Sequence, residues 1–194
     1  MADDQEPIDP LSERVVASRT IHAGRYLDLR VDTIERLDGS RHEREVIGHP
    51  GAVAVIALDE AGRVLLVRQW RLPAGGALLE IPAGTLDRQP DGSIEDHALA
   101  APRELVEETG YRAATWERLG SFWTAPGFAT EFMHLYLATG LTPAHENRLG
   151  PDDDEALELS RVPLVEAVAM AARGEFRDAK TLLGLLWVGR RRGV

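Results

Sequence analysis

The chain has 194 residues, 44% hydrophobic and 28% charged, with a net charge of −10. These are globular values for one domain of ordinary size, or a compact domain with an appendage, and the acidic balance argues against a nucleic-acid scaffold, which needs a basic face. There is no cysteine, which excludes disulfides and thiolate metal sites, and the six histidines (22, 42, 49, 97, 134, 145) show no metal-ligand spacing.

The opening segment, "MADDQEPIDPLSE", is acidic and polar and reads as disordered or loosely attached. It has neither the basic start nor the apolar core of a secretion signal, and no apolar run reaches membrane-spanning length, so the expectation is a soluble, cytoplasmic protein without a membrane partner. From Tyr26 to Leu37 apolar and polar residues alternate, predicting a half-buried strand. Asp38-Gly39 is a hairpin turn signal, with "RHEREVIGH" as the returning strand. Two hairpin strands are marginal alone, so this unit should dock onto something larger or onto a second copy of the chain.

The apolar run "GAVAVIALD" (51–59) predicts a buried strand, followed by partner strands over 63–70 and 77–81. "PAGTLDRQPDGS" reads as turn-rich loop, and Ile94–Thr109 as a helix ended by Gly110. Strands are predicted over 114–123 and 132–138. An acidic loop (149–156) then leads to a short strand, "LELSRV". Helices over Val162–Arg173 and Asp178–Arg192 close the chain, the second with Leu182, Leu185, Leu186 and Gly189 spaced for one buried face. Its terminal Arg190-Arg191-Arg192 run suits the negative end of a helix better than a binding patch. Strands, helix, strands, helices: the pattern is α+β, an α/β/α sandwich with a mixed sheet rather than a regular parallel βαβ array.

The stretch "APRELVEETGY" (101–111) places Glu104, Glu107 and Glu108 on one helix face, where like charges repel by about a few tenths of a kcal/mol per pair. Relief requires a cation, either an arginine or a metal ion; a solvated Glu-rich face is the plainer alternative. Hard cations such as Mg²⁺ take oxygen ligands and bind through a few carboxylates plus substrate phosphates. Pro102 implies that the helix either begins late, with the proline in its first turn, or kinks there.

Glu95, seven intervening residues, Arg103-Glu104-Leu105, one residue, Glu107-Glu108, one residue, then Gly110-Tyr111 resemble the C-terminal part of the Nudix box. "HPGAVAVIALDEAGRVLLVRQWR", "LLEIPAGTLD", Pro126 in "TAPGF" and "GEFRDAKTLLGLLW" extend the likeness to the ADP-ribose pyrophosphatase branch of the Nudix hydrolases, from Arg44 to Trp187. One departure stands out. The glycine usual six positions before the first glutamate is Gln89 here, while the glycine of "PAG" is Gly84. The intervening loop is therefore about five residues longer, an insertion that loops tolerate cheaply.

The resemblance implies a Nudix fold with an N-terminal β-hairpin extension. Residues 1–48 would form a dimer-making tail and strand extension, and 49–194 the hydrolase domain. It implies that water attacks phosphorus of a nucleoside diphosphate derivative, with Mg²⁺, or Mn²⁺ in its place, neutralising the diphosphate. Glu104 and Glu108 would be the principal metal ligands, Glu107 an auxiliary one, and the Ala83 carbonyl would complete a shell. Arg103 would hold the carboxylates, and Glu95 would orient the helix. The general base would come from Asp153, Asp154 or Glu155, although such an acidic turn also serves as plain solvated surface. Arg71 matches an arginine contacting phosphates or terminal ribose, and Arg44 a position near the adenine in dimeric members. Glu80 and Glu131 would partner ribose hydroxyls or Arg71. ADP-ribose, cleaved to AMP and ribose 5-phosphate by a homodimer paired through N-terminal strands, is the leading expectation. A sugar nucleotide, dinucleotide or flavin dinucleotide substrate is the rival, and a non-catalytic ADP-ribose-binding module the rival from another class.

Overall fold

The computed structural model describes residues 9–24, 26–144 and 157–194. The chain forms two compact units, one comprising residues up to His49 with Ala125–Glu131, the other Pro50–Thr124 with Phe132–Val194. In the first unit, β2 (Asp28–Arg36) and β3 (Arg41–Gly48) form the predicted hairpin. Its loop has three residues rather than two: the Gly39 amide donates to Arg36 O, the Arg36 amide to Ser40 O, and Gly39 sits at φ 79°. That is a tight turn closed by a left-handed glycine, a common hairpin solution.

Sequence reading missed β1 (Glu13–Ala23), which precedes the hairpin and makes a three-stranded antiparallel sheet in the order β1-β2-β3. The cause is visible in its pairing. Register shifts between Val15 and Ala17 and between Thr20 and His22 break the alternation that would mark a strand. Buried Asp32 on β2 accepts from Ser18 Oγ at 2.6 Å and Arg30 Nε at 2.8 Å, tying β1 to its neighbour. Segment 125–131 runs along β3, through Ile47 N to Phe128 O and Thr130 N to Ile47 O.

The second unit holds two sheets. One has the order β7-β4-β9-β8, with β4 (Ala52–Ala57) parallel to β9 (Phe132–Pro143) and antiparallel to β7 (Ala83–Thr85), while β8 (Tyr111–Trp123) pairs antiparallel with β9. The other, antiparallel throughout, has the order β10-β5-β6, built from β5 (Arg63–Arg71), β6 (Gly76–Glu80) and β10 (Glu158–Pro163). Strand β7 lies inside the stretch read as loop; three residues, two of them small, leave no periodicity to detect.

Every residue of β4 is buried, as its unbroken apolar run predicts. Ala52, Ala54 and Ile56 enter one core with Leu164, Ala167, Leu185 and Val188 of α2 (Leu164–Ala172) and α3 (Ala179–Arg192). Val53, Val55 and Ala57 enter the other, with Ala100, Ala101 and Leu105 of α1 (His97–Thr109). Helix, sheet, helix: this is the expected α/β/α sandwich. Burying each Val or Ile side chain of β4 contributes about 1.5–3 kcal/mol. On α3 the buried face is Thr181, Gly184, Leu185, Val188 and Gly189, whereas Leu186 is 45% exposed, one position off the predicted stripe. A Cβ on Gly184 would lie 2.9 Å from Ile56 Cδ1, so glycine lets α3 approach β4 closely. Arg190–Arg192 occupy the last turn of α3, as the helix dipole favours.

Helix α1 starts at His97, capped by Asp96, whose carboxylate accepts from the Ala98 amide at 2.8 Å. It ends at Gly110, φ 72°, whose amide donates to Val106 O. Pro102 therefore lies inside the helix, not in its first turn; a late start is excluded. Among the described residues no helix is long and apolar enough to cross a membrane.

Candidate active site

The inserted residues ahead of α1 form a closed hairpin. Arg88 and Ile94 bridge, Gln89 N donates to Ser93 O, and Gly92 N donates to Gln89 O. Asp91 Oδ1 accepts from both Ser93 N and Ser93 Oγ. At its base Glu95 N donates to Asp87 O, and Asp87 N returns a bond to the Glu95 carboxylate. The excursion is thus pinched off, and Glu95 re-enters beside α1.

Glu104 and Glu108, one helical turn apart, are both more than nine-tenths buried. Glu108 Oε2 accepts from the Ala83 amide at 3.0 Å, which brings the Ala83 backbone to the site. Glu104 lies directly over Gly84: a Cβ there would stand 2.0 Å from Glu104 Cδ and 2.1 and 2.2 Å from its two oxygens. The glycine of "PAG" is required because the carboxylate fills the space a side chain would take.

Arg103 gathers the carboxylates. Its Nη1 donates to Glu104 Oε1 at 2.7 Å and Glu107 Oε2 at 2.8 Å, and its Nη2 to Glu95 Oε2 at 2.7 Å. Burial opposes its charge, but Glu95 and the charges of Glu104 and Glu107 more than compensate and raise its pKa. Glu95 in turn is partly desolvated, yet Arg103 and the Asp87 amide hold its carboxyl below the usual range. Three carboxylates share one guanidinium, with Glu108 a turn beyond Glu104, so the cluster keeps a negative surplus.

A second cluster stands on β5, β6 and α3. Glu80 is 1% exposed and accepts side-on from Arg71, Nε to Oε1 and Nη2 to Oε2, both at 2.9 Å. Lys180 Nζ also donates to Glu80 Oε2, and to Asp178 Oδ1 at 2.9 Å. Burial would raise the Glu80 pKa, but Arg71 and Lys180 overcome it and hold the carboxyl low. The charge of Glu108 is among those that raise the pKa of Arg71, which links the two clusters electrostatically.

Comparison with known proteins bears on this pairing of clusters. The family description "NUDIX domain" matches residues 48–185, and "Nucleoside diphosphate sugar hydrolase N-terminal domain" matches 13–47. The chain belongs to the Nudix hydrolase family.

The methanol dehydrogenase activator of Bacillus methanolicus is 40% identical over 91% of this chain and 92% of its own. The ADP-ribose pyrophosphatase of Bacillus subtilis (strain 168) is 38% identical over 92% and 93%. A GDP-mannose pyrophosphatase of Cronobacter sakazakii is 35% identical over 81% and 85%. A solved structure of an ADP compounds hydrolase superposes with a TM-score of 0.78 at 22% identity, covering 94% of this chain and 95% of that one, which establishes the Nudix fold.

Within this Nudix hydrolase the structure brings together Ala83, Arg103, Glu104, Glu107 and Glu108 in one cluster, and Arg71 with Glu80 in the other. Arg44 and Glu131 lie in the other compact unit. There Arg44 Nη2 donates to Glu13 Oε1 at 2.6 Å, and Glu131 stands 3.7 Å from His49 Nε2. Asp153, Asp154 and Glu155 fall outside the described residues. Sequence reasoning did not single out Lys180 or Asp178. The available signal was electrostatic: a lysine in the first turn of a helix opposes the dipole.

The donor set fits a hard divalent cation. It offers carboxylate oxygens alone, two of them buried a turn apart, above a glycine that leaves them room. Among the described residues no three His, Asp or Glu side chains enclose an ion by themselves, since Arg103 bonds Glu104 and Glu107. Oxygens from substrate phosphates and water are the ordinary complement for Mg²⁺.

Proposed function

We propose that this Nudix hydrolase cleaves the pyrophosphate bond of ADP-ribose with Mg²⁺, giving AMP and ribose 5-phosphate. The observation that carries the reading is the seating of Glu104 and Glu108 over Gly84 and Ala83, close enough to Arg71 for Glu108 to act on its charge. The B. subtilis relative supports the choice of substrate. Bound Mg²⁺, or Mn²⁺, supplies charge neutralisation of the diphosphate.

The chain's own residues do the rest. Glu104 and Glu108 hold the ion, with Glu107 and the Ala83 carbonyl assisting, and Arg103 keeps the carboxylates aligned. Arg71 uses Nε and one N–H of Nη2 on Glu80, and its Nη1 donates to no described residue, so both N–H groups of Nη1 and one of Nη2 remain for a phosphate or ribose oxygen. One of Asp153, Asp154 and Glu155 takes a proton from the attacking water, whose oxygen bonds to one phosphorus as the bridging P–O bond breaks. Arg44 and Glu131 extend the substrate contacts, and residues 1–48 pair two copies. The exposed Val15 and Ile21 on edge strand β1 support that pairing.

The second reading is a sugar nucleotide substrate, favoured by the match of 13–47 to the nucleoside diphosphate sugar hydrolase description. The test incubates the protein and Mg²⁺ with ADP-ribose, GDP-mannose, dinucleotides and flavin dinucleotide, measuring nucleoside monophosphate release. ADP-ribose is expected to lead in kcat/KM by about tenfold or more. A comparable lead for GDP-mannose would replace it with the second reading, and no turnover of any would sink both. Light scattering is expected to give the mass of a dimer; a monomer would overturn the pairing.

A further inference from the structure

Lys180 sits oddly for a structural residue. It is the second residue of α3, where a cation opposes the helix dipole, and that helix end is already capped. Asp178 Oδ2 accepts from Thr181 N and Thr181 Oγ, while Thr181 Oγ accepts from the Ile81 amide on the far side. The lysine side chain is nevertheless only 11% exposed, and its ammonium is spent on Glu80 and Asp178.

The charges around it form a closed set. Glu80 is 1% exposed, Asp178 15% and Lys180 11%, whereas Arg71 is 37% exposed. The arginine is the most exposed of the four. Without Lys180, Arg71 would face the charges of both Glu80 and Asp178 with no second cation among them. Lys180 takes part of Glu80 Oε2 and ties the carboxylate to the rigid start of α3. It thereby fixes the plane in which Glu80 meets Nε and Nη2 of Arg71, and offsets the negative charge that Asp178 adds to that of Glu80.

We propose that Lys180 is a positioning residue: through Glu80 it orients Arg71 and keeps that guanidinium electropositive toward an anionic substrate oxygen. The inference rests on the reading that Arg71 contacts the substrate, and it assigns a role to α3 that the carboxylate cluster does not require. Pre-organising a contact group on packed, hydrogen-bonded neighbours is how such sites gain affinity.

The test compares K180Q, K180R, R71A and R71A/K180Q in Mg²⁺-dependent turnover of ADP-ribose. It also follows hydrogen exchange at the Arg71 Nε–H by NMR in the substrate-free protein, with R71K identifying that signal. K180Q is expected to lower kcat/KM about tenfold, K180R to recover most of the loss, and the double variant to be no worse than R71A. Exchange at Arg71 Nε–H is expected to quicken in K180Q and not in K180R. Additive losses in the double variant, or unchanged exchange in K180Q, would overturn the inference. If R71A leaves kcat/KM unchanged while exchange still quickens in K180Q, the substrate-contact reading fails and the orienting of Arg71 stands. Melting curves of each variant separate these effects from loss of fold, and K180R keeps the comparison open should K180Q fail to fold.

Discussion

Gly84 shows how much one missing methyl group does. The carboxylate of Glu104 occupies the position a Cβ would take, so Gly84→Ala must drive the two apart. Overpacking of this kind costs about 1–3 kcal/mol. We expect G84A to stay folded with a lower melting point and to lose about tenfold or more in turnover, because a displaced first contact is costly to a site. Unchanged kinetics would show that Glu104 works from elsewhere. Glu108→Gln keeps an oxygen for the Ala83 amide but removes the charge. It should leave the melting point within a few degrees and reduce activity by about 100-fold; near-normal turnover would place the ion site elsewhere. The carboxylates were legible because their spacing is a pattern, and Arg103, which bonds Glu104 and Glu107, stands in the same motif. Lys180 was not, because its partner Glu80 lies one hundred residues away and no local spacing announces it.

Elements with strong periodicity or clear punctuation were readable, and those without were not. β4, the β2–β3 hairpin and the end of α1 at Gly110 follow directly from an apolar run, a turn signal and a left-handed glycine. β1 hides behind two bulges, and β7 is three residues inside a turn-rich stretch. The long loop before Glu95 looked like a break in the family pattern. It is instead a hairpin with the same three-residue, glycine-closed turn as residues 37–39 and 60–62. Pro102 likewise looked like a boundary, but Asp96 starts the helix a turn and a half earlier by binding the Ala98 amide. Asp96→Ala should cost about 1 kcal/mol, read as a lower urea midpoint with unchanged slope. A midpoint equal to wild type would mean that the cap contributes nothing to the start of α1.

Across the molecule, acid should act first through an imidazole. His134 stacks on His97 with ring centroids 3.8 Å apart, and its Nδ1 meets Ser121 Oγ at 3.0 Å. Burial, then His97 and Arg118, push His134 down to about 4 against the weaker pull of Asp96. Between that value and the ordinary histidine range the unfolded chain binds a proton that the folded chain refuses, so stability falls as pH falls through this window. The depressed Glu80 adds its own loss only at lower pH, in the carboxylate range. His134→Gln should flatten the drop in melting point between about pH 6.5 and 4.5; an identical slope would assign the drop to other groups. The Arg103 clamp carries a different consequence, for the order of assembly. By bonding Glu95, Glu104 and Glu107, it serves as a resident counterion, so the nascent chain need not await a metal before its acidic helix can dock. Wild-type protein in excess chelator should therefore melt cooperatively within a few degrees of its midpoint in Mg²⁺. Arg103→Met should melt lower in chelator and regain stability when Mg²⁺ is added, and equal response of both proteins to the chelator would refute this. Folding comes first, and loading can wait.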